Sequence, residues 1–107
     1  MQTKVRFHHI RDLDHTLTGT IAYIIEGTVI RYAVVYCDPR DNFSRKIGRI
    51  LATDRLLKEE CRFVSVCTNK HNPLTGIFAS IYALGQYPHR ATYLIEVRLY
   101  NLLASEG

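Results

Sequence analysis

Two β-branched and aromatic runs, residues 18–26 and 28–36, flank a single glycine, Gly27. Glycine moves freely at positive φ, so this is the clearest hairpin signal in the chain. Along the hairpin Ile21, Tyr23 and Ile25 alternate with Ala22, Ile24 and Glu26, while Ile30, Tyr32, Val34 and Tyr36 alternate with Val29, Arg31, Ala33 and Val35. Strand side chains point alternately to opposite faces, so both faces of this ribbon are apolar. Such an element must be covered on both sides. The expectation is that its own helices cover one side and another subunit the other.

Upstream, residues 4–10 read as a short strand with Val5, Phe7 and His9 on one side. Downstream, Pro39 has no N–H for a ladder and biases Asp38 away from helix, so the second hairpin strand ends there. A helix follows, capped by Asp41, Asn42 or Ser44, with Ile47, Ile50, Leu51, Ala52, Leu56 and Leu57 as its apolar stripe to about Glu59. Gly48 and Ala52 are four apart and so share a face. Glycine costs a helix up to ~1 kcal/mol relative to alanine, which points to close approach of another backbone, that of the preceding strands.

Residues 61–67 read as a further strand, with Cys61, Phe63 and Ser65 opposed to Arg62, Val64 and Val66. A polar loop follows over 68–76, then a short helix through Ile77, Phe78, Ile81, Tyr82 and Leu84 that stops at Gly85. In the last segment Ala91, Tyr93, Ile95, Val97 and Leu99 alternate with Thr92, Glu96 and Arg98, which favours a strand. Leu94, Tyr100, Leu102 and Leu103 leave a C-terminal helix open. No repeat, low-complexity tract or linker interrupts the chain. Residues 1–107 are therefore expected to form a single α+β domain, an antiparallel hairpin or sheet packed with a central helix and one or two short helices.

Composition narrows the function classes. An apolar content of 47% with 22% charge is globular rather than disordered. Eleven aromatics (seven Tyr, four Phe) in so short a chain raise the expectation of apolar surface covered in a homo-oligomer. No apolar run reaches the ~20 residues that cross a bilayer, and no signal-type segment follows Met1, so a cytoplasmic protein without membrane partners is expected. Three cysteines lack CxxC or Cys/His spacing, which argues against a disulfide framework or a zinc site. The five histidines lack the i, i+4 or carboxylate spacing of metal motifs. No phosphate loop, nucleophile elbow or dinucleotide fingerprint occurs, so the expectation is a binding protein with no catalytic residues, metal or cofactor.

Charge matters most where it is concentrated. The net +4 is modest for a polynucleotide binder, yet residues 40–49 hold Arg40, Arg45, Lys46 and Arg49 against Asp41 alone. A helix start already favours an anion through its unpaired N–H groups and macrodipole, and basic side chains there oppose what helix stability prefers. Arg45, Lys46 and Arg49 are thus candidate phosphate ligands, with Asn42 beside them and Phe43 placed to stack on a base or ribose. The plainer alternative is a solvated amphipathic face with Phe43 as a hydrophobic staple. Lys70, Asn72 and Thr75 in the polar loop, and Arg90 after Pro88, are further candidate ligand contacts. Ordinary turns are the alternative there.

The run Tyr36-Cys37-Asp38-Pro39-Arg40-Asp41-Asn42-Phe43-Ser44-Arg45-Lys46-Ile47-Gly48-Arg49, with Ala52, Arg55 and Leu56, resembles a pattern of small bacteriophage proteins. With the preceding hairpin, the chain is similar to the Thoeris anti-defence sponge family of phages. That resemblance implies an oligomeric, non-enzymatic protein in the infected bacterial cytoplasm. Such a protein sequesters cyclic ADP-ribose isomers, and in some members cyclic oligonucleotides. A phage nucleic-acid-binding protein and a protein-binding inhibitor of a host factor are the competing expectations.

Overall fold

A computed structural model describes residues 4–12, 16–37, 44–59, 63–66 and 72–106. The elements run β1 (Arg6–Arg11), β2 (Leu17–Glu26), β3 (Val29–Tyr36), α1 (Arg45–Leu57), β4 (Phe63–Val66), α2 (Pro73–Leu84) and α3 (Thr92–Glu106), with a 3-10 turn at His89–Ala91 leading into α3. The fold is α+β: the strands form one antiparallel sheet in the order β1-β2-β3-β4.

The hairpin forms as its sequence requires. Gly27 takes φ 64 in the turn, and the register runs from Glu26 opposite Val29 to Gly19 opposite Tyr36. Ala22 therefore faces Ala33 across the ladder, and these two small side chains open a shallow bed on one face of the sheet. Helix α1 lies in it on Gly48, Ala52 and Leu56, three buried positions spaced by four. Small residues on both partners let the backbones approach, which is what offsets the propensity cost of Gly48.

On the opposite face Ile21, Tyr23, Ile30, Tyr32 and Val34 pack against Ile77, Phe78 and Ile81 of α2 and Leu94 and Ile95 of α3. Tyr32, fully buried, carries its hydroxyl to Ser80 Oγ at 2.7 Å and Gln86 Oε1 at 2.6 Å. Tyr36 donates to the Gln86 carbonyl at 2.7 Å. Burial pushes both phenols above their ordinary range.

Four expectations need correction. Both faces of the hairpin are covered by the chain's own helices, because α2 and α3 return beneath the face that α1 leaves open. The last segment, open between strand and helix with the alternation favouring strand, is helix. Ala91, Leu94 and Ile95 are buried with Leu99 and Leu102 partly so, a helical spacing that tertiary contact selects over the alternation. On α1 the buried stripe is Gly48-Ala52-Leu56, whereas Ile47, Ile50 and Leu51 are 42%, 59% and 46% exposed and Leu57 is exposed too. Finally, α2 begins at Pro73 and so takes in the end of the segment read as a polar loop.

Candidate anion-binding site

Helix α1 starts at Ser44, whose Oγ accepts from the Ile47 N–H at 3.2 Å while its carbonyl takes the Gly48 N–H at 2.9 Å. The N–H groups of Arg45 and Lys46 are left without an intrahelical partner, as the geometry of any helix start requires. No acidic residue stands in this first turn. Arg45 and Arg49, one turn apart, have their stems ~6 Å from each other on one face.

That face meets β1. Antiparallel register places His9 opposite Thr20, and His9 Nδ1 lies 3.0 Å from Thr20 Oγ1. Burial first, and then the charges of Arg49, Arg11 and Arg45, hold the His9 imidazole below the usual histidine range. Arg11 ends β1, so charges from two elements far apart in sequence are felt at His9. The charges of Arg49, Arg11 and Arg45 thus all act on one imidazole. Guanidinium forks and helix N–H groups are the donors that phosphate oxygens accept from. Among the described residues no group of three or more His, Cys, Asp or Glu is placed to hold a metal ion.

The sequence-predicted residues fare unequally. Arg45 and Arg49 share one face of α1, and their charges, with that of Arg11, act on His9. Lys46 is exposed and, one residue on, projects about 100° round the helix from Arg45. Asn42, Phe43 and Lys70 lie outside the described residues. Asn72 has a structural role: its Oδ1 caps α2 by accepting from Leu74 N at 3.1 Å. Thr75 is likewise corrected, being buried in the first turn of α2 rather than displayed on a loop.

Arg90 stands apart from the α1 cluster. Its Nη2 donates to the Cys37 carbonyl at 2.8 Å, and it lines a cavity against α3, on the sheet face opposite α1. His9 and Arg11 were missed by sequence reasoning. The alternation of Val5, Phe7 and His9 gave the face of β1, but nothing local says that α1 crosses that face. Among the described residues no helix is long and apolar enough to cross a membrane. Comparison with protein-family models, with curated proteins and with solved structures finds no match for the chain.

Proposed function

We propose that the protein captures a phosphate-bearing small molecule at the α1 start and holds it without chemical change. The start of α1 carries this reading: Ser44 caps a first turn that has no acidic residue, Arg45 and Arg49 follow on one face, and their charges are felt at His9. The resemblance of the segment around residues 36–49 narrows the anion to a cyclic nucleotide immune signal, a cyclic ADP-ribose isomer or a cyclic oligonucleotide. Its setting is the cytoplasm of a phage-infected bacterium. The exposed apolar side chains Ile47, Ile50 and Leu51 beside the site support a homo-oligomer in which a second copy covers α1.

Calorimetric titration with cyclic ADP-ribose isomers and cyclic dinucleotides tests the reading, followed by recovery of the intact ligand from heat-denatured protein. Replacing Arg45→Glu together with Arg49→Glu removes two charge-assisted contacts, each worth about 1.5–3 kcal/mol, so affinity falls at least ~100-fold. Folding is expected to survive or improve. Carboxylates in the first turns suit the helix macrodipole, adding about 0.3–1 kcal/mol where they stand closest to the terminus. Retained binding, or a fall in thermal midpoint that accounts for lost binding, sinks the assignment of the site to α1. Multi-angle light scattering of the wild type and of Ile50→Asp tests the oligomer; a monomer throughout counts against it.

A further inference from the structure

On the face of the sheet away from α1, a cavity of about 370 Å³ opens between the β1–β2 connection, the end of β3 and the first turns of α3. Its walls are mainly apolar, with Leu17, Leu94 and Val97 among them and Tyr93 alongside. The fold keeps this space open by identifiable means. Arg90, in the 3-10 turn before α3, reaches the Cys37 carbonyl at 2.8 Å, and Arg98 of α3 reaches the Arg11 carbonyl at 2.9 Å, so two struts are anchored at the ends of β3 and β1. The Cys37 thiol, which lines the cavity, is turned back onto β2, donating to the Leu17 carbonyl at 2.9 Å and the Thr18 carbonyl at 3.2 Å. Two of the side chains that line the gap, Arg90 and Cys37, are thus anchored on backbone carbonyls, and the cavity stands open.

An open, mostly apolar cavity with one charged donor at its rim has the make-up of a small-molecule site. Its volume is at the low end of the ~300–1,000 Å³ such sites occupy. It takes one ring system, not a dinucleotide. The guanidinium of Arg90 has five N–H donors in a planar fork, and the bond to Cys37 uses one edge of it. A carboxylate matches the remaining donors. Asp12 also lines the cavity, and a carboxylate there repels a phosphate dianion more than a monoanionic guest. We infer that this cavity is a binding site for a small aromatic carboxylate, its ring between Leu17, Leu94 and Val97 and its carboxylate on Arg90.

The site is independent of the α1 cluster, and the experiment separates the two. The full-length, ¹⁵N-labelled protein is titrated with indole-3-acetate and amide shifts are followed. Saturable shifts confined to residues 16–19 and 90–98 are expected. Indole without the acid group, and phenyl phosphate, should each bind at least ~10-fold more weakly, the loss expected for one charge-assisted contact. Arg90→Ala should weaken indole-3-acetate by a similar factor, and Val97→Phe, which fills the cavity without touching the rim, should abolish binding. Arg45→Glu with Arg49→Glu should leave it unchanged. No saturable shift, shifts centred elsewhere, or undiminished binding in Val97→Phe overturns the site. Equal binding of indole, or tighter binding of phenyl phosphate, overturns the carboxylate assignment.

Discussion

Tyr32→Phe isolates a polar chain that ties the sheet to the helical layer beneath it. The Tyr32 hydroxyl has one proton, and Gln86 Oε1 at 2.6 Å is an acceptor only. Ser80 Oγ at 2.7 Å must then donate to the Tyr32 oxygen, so the order is Ser80 to Tyr32 to Gln86. Phenylalanine deletes both bonds. Two net contributions of about 1 kcal/mol each set the upper end. Ser80 and Gln86 are both half-buried, so water can reach their freed atoms and the full desolvation penalty does not apply.

The expected loss is therefore about 1–2 kcal/mol. With a urea slope of roughly 1–3 kcal/mol per molar, the midpoint falls by about 0.3–2 M and the slope is unchanged. A double-mutant cycle with Ser80→Ala should give a coupling of at least about 0.5 kcal/mol, because either change breaks the same bond. The chain also dictates an alkaline response. The buried phenols of Tyr32 and Tyr36 titrate above the ordinary 10.0, so the stability they contribute is complete below pH 10 and declines as pH rises through the folded-state values. Tyr32→Phe should soften that decline. A midpoint shift under ~0.2 M with additive single changes would refute the reasoning, leaving Tyr32 as packing alone.

Gly19→Ala should cost about 1–3 kcal/mol by urea denaturation, since a Cβ there would sit 2.7 Å from the Val35 carbonyl oxygen and 3.2 Å from Tyr36 Cδ1; a neutral result would mean that β2 and β3 shift at no cost. Ala52→Leu should lift α1 off Ala22 and Ala33 and lower stability by about 1–3 kcal/mol, whereas Leu51→Ala on the exposed flank should change it by less than ~0.5 kcal/mol in the monomer. Burial, then the charge of Arg98 and that of His9, lowers the His8 pKa from 6.5, so the unfolded chain takes up the proton first and stability falls as pH drops below 6.5. His8→Gln should flatten that slope in thermal scans between pH 7.5 and 5, and an unaltered slope would assign the acid sensitivity elsewhere.

The hairpin, its turn at Gly27, the α1 segment and the α+β class were all legible in the sequence, because each rests on local rules: alternation, a glycine at positive φ, a cap, a helical period. The close approach at Gly48 and Ala52 was legible too, since a glycine inside a helix needs a reason. Arg45 and Arg49 could be placed near a helix start from spacing alone, with Ser44 one of three cap candidates. What the tertiary structure decided is which of two permitted periodicities the last segment follows, and which flank of α1 is buried. Both depend on what lies across the core. It also decided that Asn72 and Thr75 serve α2, that the charges of Arg11, Arg45 and Arg49 act on His9, and that Arg90 guards a cavity on the other face. Charge clustering between β1 and α1 is a property of strand register and helix crossing, quantities set by long-range packing that no window of neighbouring residues contains.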